Sequence, residues 1–274
     1  MVKKPKTIVS LAPSNTEILF ALGLEDEVIG VTALCDYPPV VKEKIKAGKI
    51  SIIEGDLVNV EKIVSLRPDL VLVATSLQGR IAKTLEQRGL EVLLLDPGSV
   101  SEVLESIIMI GRIAGRVKEA EELVYSMKKR IEKVVDKTRD ITHRPKIYYE
   151  EWYKPLITVS PRSCISNIIE LSGGINLFRY LGNHLGNHRV RALEVSSEEI
   201  ILRDPEIIVV GWCGFGGRVN LEDIKRRTGW NSIDAVRNNR IYAVDESLFA
   251  RPGPRIVEGL ESLAQLAHPE LFTV

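Results

Sequence analysis

The side chains able to do chemistry are few and scattered along the chain. The four histidines stand at 143, 184, 188 and 268. His184 and His188 have the i, i+4 spacing that grips zinc on a helix, yet Gly182, Asn183, Gly186 and Asn187 around them spell a loop. Cys35, Cys164 and Cys213 contain no C-x-x-C, which argues against a zinc ribbon or a disulfide framework. Cys35 and Cys213 are the two thiols that could share a soft metal or form a bridge, although a free buried cysteine is the commoner fate. No G-x-G-x-x-G, G-x-x-x-x-G-K-[ST], G-x-S-x-G or H-E-x-x-H occurs. Gly211-Trp-Cys-Gly-Phe-Gly-Gly is glycine-rich but opens no evident helix, so it is a weak phosphate loop. Binding without catalysis is the simpler reading, and the chain is not expected to be an enzyme.

Aromatic residues give the stronger signal. The chain has only three Trp, seven Tyr and five Phe, yet Tyr37, Trp152, Trp212, Phe215 and Phe249 all fall at the ends of expected strands or in the loops that follow them. Aromatics at strand ends suit a large, flat, partly apolar ligand. Arg162 and Arg251 could hold its carboxylate or phosphate groups, as bidentate guanidinium donors do. Trp230, in Thr228-Gly229-Trp230, reads instead as core.

Those loops need a scaffold, and short β-branched runs alternating with helical stretches provide one, the pattern of α/β units with a largely parallel sheet. Strand Thr7 to Leu11 is followed by Ser14-x-x-Glu17, which reads as a capping box opening a helix from Thr16 to Leu22. Strand Val28 to Thr32, helix Val60 to Leu66, strand Leu70 to Ala74, helix Gln78 to Arg88 and strand Val92 to Leu95 complete one lobe. After Pro145 the alternation resumes with strand Lys146 to Trp152, helices Ile165 to Leu171 and Glu198 to Leu202, strands Ile207 to Gly211 and Arg240 to Val244, and a last helix from Pro254 to Ala267. The segment Val60 to Val73 lies over Ser197 to Val210 with Pro68 on Pro205 and Glu61 on Glu198, so the second lobe is expected to copy the first. Between them, Ser101 to Asp140 is helix-compatible, with Gly111 and Gly115 the weak points. Val117 to Arg139 alone would span roughly 35 Å as a rigid spine. The expected division is 1–112 for the first lobe, 113–140 for the connecting helix and 141–274 for the second lobe.

In open parallel sheets ligands sit beyond the carboxyl ends of the strands, here Thr75-Ser76 in one lobe and Trp212-Cys213 in the other. The expected site is a cleft between two such rims, whose loops supply Pro13, Ser14, Asn15, Cys35, Asp36, Tyr37, Thr75, Ser76, Trp152, Tyr153, Arg162, Trp212, Cys213, Phe215, Phe249 and Arg251. Composition agrees with a globular binding protein. The 274 residues suffice for two cores, with 45% hydrophobic and 27% charged residues. Lys plus Arg, 37, equals Asp plus Glu, 37, so no global field favours nucleic acid. No apolar run approaches the ~18 residues that cross a bilayer, and Met1-Val-Lys-Lys-Pro-Lys lacks the apolar stretch of a signal peptide behind it. As written, the chain is expected to be cytoplasmic and monomeric, or extracytoplasmic or membrane-associated if a leader has been removed.

Thr7-Ile-Val-Ser-Leu-Ala-Pro-Ser-Asn-Thr-Glu-Ile-Leu-Phe-Ala-Leu-Gly, Cys35-Asp-Tyr-Pro-Pro, Leu66-Arg-Pro-Asp-Leu-Val, Trp212-Cys-Gly-Phe and Arg251-Pro-Gly-Pro-Arg-Ile-Val-Glu-Gly-Leu-Glu together carry a family resemblance. The chain resembles the cobalamin-binding members of the ABC transporter substrate-binding proteins, a helical-backbone class that also binds iron siderophores and heme. It is most similar to a signal-less subgroup. The resemblance implies two α/β lobes joined by one long helix, a corrinoid such as cobalamin as ligand with no intrinsic cofactor, and an ABC transporter permease as partner. It implies first-lobe contacts at Pro13, Ser14, Asn15, Asp36 and Tyr37, and second-lobe contacts at Trp152, Phe249 and Arg251. Thr75 stands where cobalamin-binding members carry an aromatic, and Gly79 stands near the glutamate that docks their permease. The alternatives are an iron-siderophore or heme binder, and a metal-dependent enzyme or metallochaperone using Cys35 and Cys213.

Overall fold

A computed structural model describes residues 4–53, 58–74, 78–181 and 191–272. It divides into two compact units, one formed by the chain up to Pro97 with Ser101–Met127, the other by Gly98–Val100 with the chain from Lys128 onward. The first unit contains β1 (Ile8–Ser10), α1 (Pro13–Ala21), β2 (Val28–Val31), α2 (Val40–Lys46), β3 (Ser51–Ile52), α3 (Val60–Leu66), β4 (Leu70–Ala74), α4 (Gly79–Gln87) and β5 (Val92–Leu95). Its five strands are all parallel, in the order β3-β2-β1-β4-β5. Every residue of β1 and β4 is buried, as continuous apolar runs covered on both faces should be. Val9, Leu11, Ile63, Val71, Val73 and Leu85 form one core of this unit.

The expected capping box at Ser14 and Glu17 does not form. Helix α1 begins three residues earlier, at Pro13, with Ala12 in the N-cap position and no side-chain cap. Proline suits the first helical position because its missing N–H would lack a partner there in any case. Ser14 and Glu17 therefore sit inside the helix, both buried. A capping box does form at α8 (Ser197–Arg203), where Ser196 Oγ accepts from Glu199 N at 3.1 Å and the Glu199 carboxylate accepts from Ser196 N.

The long helical stretch is two helices, α5 (Val100–Ala114) and α6 (Val117–Thr138). They are separated at Gly115, whose φ of +67° is the left-handed conformation that ends a helix and that glycine adopts freely. Gly111 stays helical, and a Cβ there would lie 2.4 Å from Ala120 Cβ, so glycine permits the close approach of the following helix. Helix α6 runs unbroken for 22 residues, with its first half in one unit and its second half in the other.

The second unit contains β6 (Lys146–Tyr153), β7 (Leu156–Val159), α7 (Cys164–Leu171), β8 (Ile175–Asn176), β9 (Ala192–Glu194), α8, β10 (Ile207–Val210), α9 (Leu221–Lys225), α10 (Asp234–Arg237), β11 (Ile241–Ala243), α11 (Ser247–Ala250), α12 (Ile256–Ala267) and α13 (Pro269–Phe272). Its sheet runs β11-β10-β6-β7-β9, with β8 also paired to β6. Strands β6, β8, β10 and β11 are mutually parallel, but β7 is antiparallel to both β6 and β9. The α/β architecture with parallel-rich sheets is as expected; the second unit is not a full copy of the first, because a β6–β7 hairpin enters where the first unit has only crossovers.

Locally the repeat is real. Helices α3 and α8 both stop on a left-handed residue, Arg67 and Asp204, each with φ 48°. Each stop is followed by proline and then by a fully buried strand with neighbours on both sides, β4 and β10. Among the described residues no helix is long and apolar enough to cross a membrane.

Candidate functional site

In the first unit side-chain hydrogen bonds shape the carboxyl ends of β1 and β4. Ser10 Oγ and Thr16 Oγ1 pair at 2.8 Å, and Thr16 Oγ1 also donates to Ala12 O, which fixes the turn from β1 into α1. This turn presents Pro13, half-buried, and Ser14 and Asn15, both buried; the Asn15 side-chain nitrogen has no hydrogen-bond partner among the described residues. Gln78 ties two strand ends together, accepting from Ala74 N at 3.1 Å and donating to Leu11 O at 3.2 Å. Sequence reading missed it, since glutamine beside Gly79 carries no local signal. Thr75 and Ser76, expected at this rim, and His184 and His188 lie outside the described residues.

After β2, Cys35 turns inward, buried against the Thr32 hydroxyl at 3.2 Å, while Asp36 is half-buried beside Lys42 at 3.9 Å. Leu34 and Tyr37 remain exposed on the loop, Tyr37 at 40%, as does Val40 at the start of α2. The loop thus carries an apolar outer surface and a buried thiol.

In the second unit the structure brings Trp152, Tyr153, Trp212 and Phe215 together. Tyr153 stacks on Trp212 with centroids 4.4 Å apart and an interplanar angle of 29°. Phe215 meets Trp212 edge-on at 5.4 Å and Trp152 at 6.1 Å, and Trp152 lies 5.3 Å from Tyr153. Beneath this wall is the fully buried carboxylate of Glu150, which accepts from Arg227 Nη1 and Nη2 at 2.5 and 2.7 Å, from Trp212 Nε1 at 3.0 Å and from Tyr148 Oη at 3.2 Å. Glu150 therefore fixes the Trp212 ring through its indole N–H. Two adjacent acids inside an apolar strand, Glu150-Glu151, were the available signal, since charge in a buried strand demands a partner or a function.

The glycine-rich loop does hold an anion, but the anion is the protein's own. Glu246 accepts from Gly214 N at 2.8 Å and Gly216 N at 3.0 Å, in a concavity formed because Gly214, Gly216 and Gly217 all have positive φ. This corrects the phosphate-loop reading of Gly211–Gly217.

Arg162 is not brought to this rim. It follows β7, and because β7 runs antiparallel to β6 the chain has by then returned toward the amino end of β6, where the Arg162 carbonyl accepts from Arg191 at 3.1 Å. Phe249 is buried, with its ring 5.8 Å from Tyr149. Arg251 is half-buried and its charge acts on the Cys213 thiol. Cys213 is exposed, and partial burial together with the carboxylates of Glu246 and Glu151 pushes its thiol up, which disfavours the thiolate that binds metals. Among the described residues no three His, Cys, Asp or Glu side chains converge as a metal site. A separate cavity of about 600 Å³ lies at the amino ends of β6 and β11, but Lys137 and Arg240 in its lining already donate to Leu271, Leu266 and Ala267 carbonyls.

Glu151 stands apart. Burial pushes its carboxyl up to about 7, from an ordinary 4.5. The folded protein thus holds this proton more tightly than the unfolded chain, so its stabilising effect is complete below about pH 4.5 and is lost as pH rises through 7. Wild type is expected to lose on the order of 3 kcal/mol over that window relative to Glu151→Gln. Urea unfolding at pH 5 and pH 8 measures this, and parallel slopes for the two proteins would contradict it.

The family described as "Periplasmic binding protein" matches residues 8–248. An uncharacterized ABC transporter substrate-binding lipoprotein, YvrC of Bacillus subtilis, is 37% identical over 98% of this chain and 82% of that protein. A vitamin B12-binding protein of Photorhabdus laumondii is 27% identical over 95% of this chain and 87% of its own length. Among solved structures, a possible iron-binding (periplasmic solute-binding) protein from Staphylococcus epidermidis is 31% identical, with a TM-score of 0.79 over 96% of this chain and 99% of that one. With two α/β units, aromatic strand ends and a match spanning nearly the whole sequence, the chain belongs to the periplasmic binding protein family.

Proposed function

We propose that the protein is a substrate-binding protein whose ligand is a corrinoid, cobalamin or cobinamide, delivered to an ABC-type permease or handled within the cell. The observation that carries this reading is the stacked wall of Trp152, Tyr153, Trp212 and Phe215 at the ends of β6 and β10, a surface suited to a broad, flat, partly apolar ligand. Relatives named for vitamin B12 binding support the choice of ligand, and the lipoprotein relative supports a permease partner. The proposed contacts are Pro13, Ser14, Asn15, Asp36 and Tyr37 in the first unit and Trp152, Tyr153, Trp212, Phe215, Cys213 and Arg251 in the second. A ferric chelate is the second reading, favoured by the likeness to the staphylococcal protein. The protein acts by binding, without catalysis.

Titration of the purified protein with cobinamide, cobalamin, heme and a ferric siderophore, followed by calorimetry and thermal unfolding, tests the proposal. At about 100 times its dissociation constant a corrinoid should add about 2.7 kcal/mol of stability. Trp212→Ala should weaken corrinoid binding by about 2 kcal/mol or more, as loss of a central aromatic anchor does. Binding of heme or the siderophore alone establishes the second reading, and a flat response to all four ligands rejects both.

A further inference from the structure

We infer that Glu151 and Tyr149 form a polar subsite at the carboxyl end of β6 that receives a primary carboxamide of the ligand, Glu151 accepting its N–H and the Tyr149 hydroxyl donating to its carbonyl. The inference rests on the corrinoid reading, since corrinoids carry such amides around the ring edge.

Two buried atoms carry it. Glu151 Oε2 and Tyr149 Oη are each out of contact with solvent and without a hydrogen-bond partner among the described residues. Native proteins pair nearly all such groups, so two unpaired ones together mark a place where a partner is supplied from outside. They lie two residues apart on β6, and the Glu151 carboxylate acts electrostatically on the Tyr149 hydroxyl. The strand geometry singles out Glu151 as well. Glu150 pairs with Thr158 and Trp152 pairs with Ile157, so Glu151 is the residue left over where the β6–β7 register shifts, as happens at bulges that re-aim a side chain.

The surroundings leave Glu151 as the available acceptor. Glu150 is taken by Arg227 and Trp212, Glu246 by the Gly214 and Gly216 amides, and Asp245 accepts from Ser247 N. Tyr149 Oη sits where a side chain at Gly211 would have to go, only 2.0 Å from the position of a Cβ. Glycine after the end of β10 thus leaves room for the buried hydroxyl where any side chain would collide with it. The titratable and charged groups around the pair are Cys213 on the loop after β10, Asp245 and Glu246 after β11, and Arg251 after α11. A primary amide presents one donor face and one acceptor face side by side, which matches a carboxylate beside a phenol.

The test uses dicyanocobinamide, whose side chains end in amides, and dicyanocobyrinic acid, with the same ring but carboxylates in their place. Wild type should bind the amide form at least tenfold more tightly, because a ligand carboxylate facing Glu151 is repelled. Its affinity for dicyanocobinamide should rise from pH 6 to pH 8, since burial holds the Glu151 carboxyl near 7 and the carboxylate is the better acceptor. Glu151→Leu should lose most of the preference and all of this pH dependence; Glu151→Gln, which keeps the shape, should lose the pH dependence as well. Tyr149→Phe should weaken dicyanocobinamide several-fold at both pH values. If wild type binds both corrinoids but the variants retain its preference and its pH profile, the subsite is wrong while the corrinoid reading stands. If wild type binds neither corrinoid, both fall.

Discussion

Replacing Arg227 with Met lowers the stability of the protein by about 3–5 kcal/mol, the largest electrostatic effect expected anywhere in the described chain. Glu150 is 0% exposed, and its two oxygens receive both terminal guanidinium nitrogens of Arg227. Without the arginine, a carboxylate remains in a dry interior with only the Trp212 indole and the Tyr148 hydroxyl as donors. Protonation would limit the loss but at a cost of its own. The same substitution strips a guanidinium from the face of Trp230, 4.5 Å from its centroid. Urea unfolding at neutral pH measures the change, and a loss below about 1 kcal/mol would show that the pair is dispensable. Adding Glu150→Gln to Arg227→Met should recover part of the loss, because the pair removed together leaves no unmatched charge.

Trp230→Ala should cost a similar amount, about 3–5 kcal/mol, for an apolar reason. The ring is fully buried in the core of the second unit, edge-on to Tyr148 at 6.2 Å, and its Nε1 donates to Ser197 Oγ at 2.6 Å. Truncation opens a cavity and strands the serine hydroxyl. Because Trp230 and Arg227 touch, the double variant should lose less than the two single losses added. Trp212→Ala provides the contrast, since it should cost ligand affinity in addition to the stability lost when a largely buried ring that donates to Glu150 is removed. A Trp230 variant that kept its stability while losing ligand would place the two tryptophans in reversed roles.

Much of the fold was legible because its signals are local. Prolines at 68 and 205, each after a helix and before a β-branched run, mark two equivalent helix-to-strand corners whatever the rest of the chain does. Gly115, at a weak point in the helical stretch, is where the helix ends. The aromatic residues after the strands were likewise visible, because the carboxyl ends of parallel strands lead into the loops that build the rim, although the Trp212 ring proves to be largely buried there.

Pairings across long stretches of chain were decided only in the tertiary structure. Glu150 and Arg227 are 77 residues apart, and nothing in either local sequence names the other. The glycine loop reads as an anion cradle, but its anion, Glu246, comes from a turn some thirty residues away, so what fills it depended on how β11 packs beside β10. The β6–β7 hairpin carries Arg162 away from the end of β6 that holds the aromatic wall, a reversal set by one antiparallel pairing. Sequence by itself determined the types of the central strands and longer helices and the repeated corner, since these follow from periodicity and backbone preference within a few residues, but not the short elements such as β7 that only pairing defines. Which charges are matched, and which carboxyl is left without a partner, followed from burial, and burial exists only once distant segments have packed.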